Sequence, residues 1–175
     1  MRDRHTLSVL VENKPGVLTR IAGMFARRGY NIHSLAVGPT EDAAISRLTV
    51  VVGAEAVQLE QIVKQLNKLV HVLKILELEP DEAVARELQL VKVEANGETR
   101  SQIIEIADVF RARVVDVAHD AVTIEAAGNP RKLEAMVELL APYGIRELVR
   151  SGTIALSRGA RSIADGNRAR MKRVV

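Results

Sequence analysis

The sequence predicts an α+β fold built from two tandem βαββαβ units. Three observations carry this reading. Apolar residues alternate at period two in some runs and recur at helical spacing in others. Their order is strand, helix, strand, strand, helix, strand. That order then recurs, with the two first strands offset by about 81 residues. The halves share this pattern and little residue identity.

Thr6 to Glu12 places Leu7, Val9 and Val11 on one face, which predicts a strand. Asn13-Lys14-Pro15-Gly16 breaks the run. Asn13 suits a helix cap or turn, and Pro15 suits a first helical turn, where its missing N–H costs nothing. Val17, Leu18, Ile21, Met24 and Phe25 then follow at helical spacing, with Arg20, Arg27 and Arg28 outside the stripe. Gly29 fits the stop. Asn31–Val37 and Ile45–Val52 are expected strands around the turn residues Gly38-Pro39-Thr40-Glu41-Asp42. A second helix is expected from about Glu55 to Lys68, carrying Leu59, Ile62, Val63 and Leu66. Val70–Leu78 reads as a fourth strand, ended by Pro80.

In the second pass, Leu88–Glu94 is a strand and Ile103, Ile104, Ala107 and Phe110 form a helix face after Asn96-Gly97. Val114–Val117 and Val122–Ala126 are strands. Leu133, Met136, Val137 and Leu140 make the next helix face behind Pro130. Ile145–Val149 and Thr153–Leu156 supply a last strand or a bent pair. The expected boundaries are a first domain over 4–79, a linker over 80–87, a second domain over 88–159 and a flexible basic tail over 160–175. With right-handed crossovers, each unit becomes a ferredoxin-like antiparallel sheet of four strands with both helices on one face. Leu48, Val50 and Val52 sit among few charges, so the opposite face of the first sheet is expected to be apolar as well. An uncovered apolar face predicts oligomerisation, or packing of the halves on each other.

Composition excludes several classes. The chain has 175 residues, 47% hydrophobic and 27% charged, a globular balance. There is no cysteine, hence no disulfide, thiolate zinc site, iron–sulfur cluster or thiol nucleophile. No apolar run approaches the roughly 18 residues of a membrane span. The polar start Met1–His5 leads directly into a strand and predicts no signal peptide. The net charge of +3 is a tail property: residues 158–175 hold six basic side chains and one acid, leaving 19 basic and 21 acidic groups elsewhere. The tail either frays in solvent or touches an acidic partner.

No constellation for making or breaking bonds is evident. His5, His33, His71 and His119 show no i, i+4 ligand pair and lie near no carboxylate motif. Glu41 with Asp42, and Asp81 with Glu82, read as turn residues. No catalytic or metal site is expected. The concentrated polar feature is the loop Asn13–Gly16. A helix N-terminus presents unpaired N–H groups and partial positive charge, which suits a carboxylate or phosphate. Gly16 would admit a ligand close to the backbone, and Asn13 could accept from an ammonium group. Together they could hold an α-amino acid by its backbone groups; equally, Asn13 caps the helix and Gly16 eases the turn. Asn31 and Ile32 open the next strand as a turn and a core residue.

The run L-S-V-L-V-E-N-K-P-G-V-L-T-R-I-A-G-M-F-A-R-R-G-Y-N-I-H-S-L-A-V-G-P-T resembles the N-terminal ACT domain of the small, regulatory subunit of acetolactate synthase. Ser46–Val52, Gln65–Ile75, Val149–Gly152 and Ala155–Gly159 continue the likeness, which covers about residues 4–159. The resemblance implies a non-catalytic subunit that binds a catalytic subunit carrying thiamine diphosphate, Mg2+ and FAD, and no cofactor on this chain. That enzyme condenses two pyruvates, or pyruvate with 2-oxobutanoate, at the start of valine, leucine and isoleucine synthesis in the bacterial cytoplasm. The small subunit raises its activity and confers feedback inhibition, usually by valine. The resemblance also implies a homodimer, with the effector between two ACT domains. Carried over by position, Asn13, Lys14, Pro15, Gly16 and Val17 form the effector loop, and Asn31 and Ile32 complete it from the partner chain.

Two other classes compete. Paired RNA-recognition domains share the βαββαβ order but stack bases on strand aromatics. Here Leu7, Val9, Val11, Leu48, Val50 and Val52 occupy those strands, and aromatics are only 2% of the chain. No helix-turn-helix is visible, so nucleic acid is not an expected partner. The alternative is a stand-alone ACT-domain amino-acid sensor without an enzyme partner.

Overall fold

The computed structural model describes residues 3–165. The first unit comprises β1 (Asp3–Glu12), α1 (Val17–Arg27), β2 (Ile32–Pro39), β3 (Ile45–Ala54), α2 (Ala56–Asn67) and β4 (Val72–Leu78). Its sheet has the order β2-β3-β1-β4, with every neighbouring pair antiparallel. Leu7 pairs with Val50 and Val9 with Leu48, so period-two alternation puts these residues on one face. That face buries Val17, Ile21 and Phe25 of α1 and Leu59, Ile62 and Leu66 of α2. Both helices therefore pack on one side of the sheet, as the sequence predicts.

The opposite face is covered too. Ser8, Leu10, Thr49 and Val51 are buried there. Leu10, Ile45 and Leu73 pack with Ile163, which lies in the segment expected to be a flexible tail. The chain divides into two compact units, one combining the N-terminal residues through Val84 with the segment from Thr153, the other spanning Ala85–Gly152. The structure thus differs from the expected boundaries. A short 3-10 turn at Pro80–Glu82 leads straight into β5 (Ala83–Glu94), where a linker over 80–87 was expected. β9 (Ile154–Ser157) hydrogen-bonds to β5, while by its contacts it is grouped with the first unit. Residues 160–165 continue from it, and 166–175 lie outside the described residues. The physical reason is the second apolar face of β1 and β3: the chain's own C-terminal segment contributes to its cover, where the sequence analysis assigned that cover to another copy or to the other half.

The second unit contains β5, α3 (Arg100–Val109), β6 (Arg113–Val117), β7 (Ala121–Gly128), α4 (Pro130–Leu140) and β8 (Ile145–Arg150). Its strands run in the order β6-β7-β5-β8. Val91, Val93 and Ile124 pack against Ile103 of α3 and Leu133, Met136 and Leu140 of α4. Arg146 ties Glu94 (3.2 Å) to Asp120 (2.9 Å), and this guanidinium holds the Asp120 carboxyl below the usual range. Among the described residues, no helix is long and apolar enough to cross a membrane.

Candidate functional site: the loop before the first helix

β1 ends at Glu12 and α1 begins at Val17, so the loop Asn13–Gly16 delivers the chain to a helix N-terminus. Gly16 is the residue before the helix and has φ 82° and ψ −9°. This left-handed conformation costs most L-residues roughly 1–2 kcal/mol. No acid occupies the first turn of α1. The positive end of the helix dipole is therefore not offset by the helix's own side chains. The sequence expectation needs two corrections. Of the two readings of Asn13, the cap fails and the turn holds, and Pro15 stands before the helix instead of in its first turn.

Asn13 is tied to the β2–β3 turn. Its backbone N–H donates to the Ala44 carbonyl at 2.7 Å, and its Nδ2 donates to the Ala43 carbonyl at 2.9 Å. Its Oδ1 accepts from no group among the described residues. One amide nitrogen thus fixes the side chain and leaves an oriented acceptor. Lys14 is drawn the other way: its Nζ lies 2.7 Å from Glu12 Oε2. His71 Nδ1 meets the same carboxylate at 2.9 Å. Lys14 first, then His71, hold the Glu12 carboxyl below its ordinary value. A second histidine, His5, meets Glu77 at 2.9 Å. Two histidines therefore have carboxylate partners that the sequence analysis did not assign. β1 pairs antiparallel with β4, which brings the end of one strand to the start of the other. That pairing follows from the βαββαβ order itself, and it was the signal that could have located the Glu12–His71 contact.

The structure does not gather the whole predicted set. Val17 is buried in the core at 5% exposure. Asn31 and Ile32 follow the far end of α1, an eleven-residue helix about 16 Å long. The sheet register agrees: Glu12 lies opposite Ile45, whereas Ile32 lies opposite Val52. Those two positions on β3 are separated by about 23 Å at 3.3 Å per residue. Within one chain, Asn31 and Ile32 cannot reach a ligand seated at Asn13 and Gly16.

Two family descriptions match this chain. "AHAS small subunit-like ACT domain" covers residues 7–74, and "Small subunit of acetolactate synthase" covers residues 86–159. A Mycolicibacterium smegmatis protein named acetolactate synthase small subunit is 59% identical over 159 residues, 91% of this chain and 94% of that relative. The chain belongs to the acetolactate synthase small-subunit family. A probable acetolactate synthase small subunit from Methanothermobacter thermautotrophicus is 50% identical over 162 residues, 92% of this chain and 96% of that relative. The crystal structure of the acetolactate synthase small subunit from Thermotoga maritima matches with a TM-score of 0.82 at 38% identity, covering 91% of this chain and 99% of that one. The ferredoxin-like ACT architecture of the small-subunit family is thus shown for this chain. The loop Asn13–Gly16 and the segment Asn31–Ile32 both lie inside the span of the family's ACT domain.

Proposed function

We propose that this chain is the regulatory subunit of acetolactate synthase. In this reading it binds the catalytic subunit in the bacterial cytoplasm, raises its rate of acetolactate formation and makes it sensitive to feedback by valine or another branched-chain amino acid. Thiamine diphosphate, Mg2+ and FAD belong to the catalytic subunit. The observation that carries the effector site is the free Oδ1 of Asn13 beside a helix N-terminus opened by left-handed Gly16. The effector carboxylate takes the free N–H groups of the first turn of α1, where the absence of an acid leaves the dipole uncompensated. Asn13 Oδ1 accepts from its ammonium group.

The separation of Asn31 and Ile32 from that loop supports a site shared by two chains. Among the described residues, β2 is an edge strand whose ladder partner is β3. Two copies pairing antiparallel through β2 would set the Ile32 end of each strand against the Pro39 end of the other. The Pro39 end adjoins the turn that holds Asn13. A two-fold contact of this kind would bring the partner's Asn31 and the partner's Ile32 to the effector. Valine shared by both chains would then strengthen the dimer by mass action.

Reconstitution tests the reading. The isolated chain should turn over no pyruvate. Added to the matching catalytic subunit, it should raise the rate and introduce inhibition by valine. Failure to co-purify with the catalytic subunit, together with retained valine binding, would favour a stand-alone sensor.

A further inference from the structure

On the face of the first sheet that points away from the helices, Arg47 stands next to Ser8 across the β1–β3 ladder. Ser8 pairs with Thr49, and Leu10 pairs with Arg47. A cleft of about 290 Å3 lies over these residues, roofed by the segment that follows β9. Its walls include Leu76 and Leu78 of β4 together with Leu156 and Ile163. All of these residues belong to the first compact unit.

Two polar groups of this cleft are buried without a partner. Ser8 is 2% exposed, and its Oγ has no hydrogen-bond partner. Arg47 Nε is also buried without a partner, and no carboxylate among the described residues pairs with this guanidinium. Arg161 stands at the rim and also borders a neighbouring cleft that holds Glu79, Asp81 and Glu82. Arg47 is thus the inner cation without a counter-charge. A guanidinium stays protonated at any physiological pH, and leaving it half-buried and unpaired costs stability. A buried donor beside a buried hydroxyl suits an oxyanion that can accept from both. The walls define that partner: an anionic head at Arg47 and a short hydrocarbon body against Leu76, Leu78 and Ile163.

We infer that this cleft binds a small aliphatic oxyanion, a short branched carboxylate without an ammonium group. The inference goes beyond the proposed effector loop, which lies at a sheet end and needs an ammonium group for Asn13. An ammonium ion would be repelled at Arg47, so the two sites should sort their ligands by charge.

Isothermal titration of the full chain with isovalerate, inorganic phosphate, sulfate and valine separates the alternatives. Saturable binding of isovalerate is expected, weakened about tenfold or more by Arg47→Met, which keeps the stem and removes the charged fork. Ser8→Ala, a smaller change, should weaken it more modestly and guards against a folding defect in the first variant. Asn13→Ala should leave isovalerate binding unchanged while reducing valine binding, so failure of either site is read separately. Without ligand, Arg47→Met should melt no lower than the wild type, because it removes a half-buried cation that has no carboxylate partner among the described residues. Three results would overturn the inference: no saturable isovalerate binding, isovalerate binding that survives Arg47→Met, or phosphate and sulfate binding as tightly as isovalerate. The first would leave a water-filled cleft only.

Discussion

Asn13 reaches across thirty residues of sequence to Ala43, donating its Nδ2 to that carbonyl at 2.9 Å. The contact joins the loop before α1 to the turn after β2. It also orients the side chain so that Oδ1 is the group left for a ligand. Asn13→Ala removes both the tie and the acceptor. Valine affinity, read by calorimetry, should fall about tenfold or more, and stability should drop by about 1 kcal/mol for the exposed hydrogen bond. Asn13→Asp keeps an oxygen for the ammonium group but loses the donor to Ala43. It should therefore destabilise like the alanine variant and retain more valine binding.

Gly16 offers a test of backbone geometry alone. A Cβ built on it meets nothing within 4 Å, so the whole penalty is its φ of 82°. Gly16→Ala should lower the stability of the first unit by about 1–2 kcal/mol in urea unfolding. Gly16→Asn should lower it less, because asparagine enters the left-handed region more readily.

Glu12 gives a pH dependence with a defined sign. Lys14 and His71 lower its folded-state pKa, so ionised Glu12 contributes stability above the ordinary carboxylate value of about 4.3. That contribution fades as pH falls below this value toward the depressed one, where protonation releases both partners. Glu12→Gln should therefore be less stable than the wild type at pH 7, and the gap should close in acid. Parallel melting curves from pH 7 to pH 3 measure it; a gap that widens in acid would contradict the pairing.

The helix faces were legible because their signal is local. Val17, Ile21, Met24 and Phe25, read from spacing, are the buried residues of α1. Leu18, placed on the same stripe, is 40% exposed, since a stripe one residue too wide cannot be trimmed without knowing what it packs on. The cap was not legible: Asn13 and Gly16 both suit a helix start, and the deciding contact is with Ala43 in the turn between β2 and β3. Ile163 was missed for a different reason. It is one apolar residue in a polar run, and only the three-dimensional course of the chain brings it to Leu10 and Leu73.

The β2 edge carries the dimer in the proposed arrangement. Val37 on that strand is 51% exposed, so Val37→Glu should leave the isolated unit folded. In a two-fold pairing the substitution puts two charges, one from each chain, into one interface. Sedimentation velocity should show the variant dissociating at concentrations where the wild type, with saturating valine, remains dimeric. A variant as tightly dimeric as the wild type would move the interface away from β2.

The central claim is that the start of α1 receives the effector's carboxylate and governs the catalytic partner. Valine inhibition of the catalytic subunit, reconstituted with wild-type, Gly16→Asp or Gly16→Asn chains, tests it most directly. Aspartate and asparagine bear similar backbone strain at Gly16, but only aspartate sets a negative charge where the carboxylate would bind. A loss of about 2.8 kcal/mol in binding is a hundredfold in affinity. The Gly16→Asp chain should still activate the enzyme yet leave it active at valine concentrations that inhibit the wild-type complex, with Gly16→Asn retaining inhibition. Equal valine sensitivity in all three reconstituted enzymes would contradict the account.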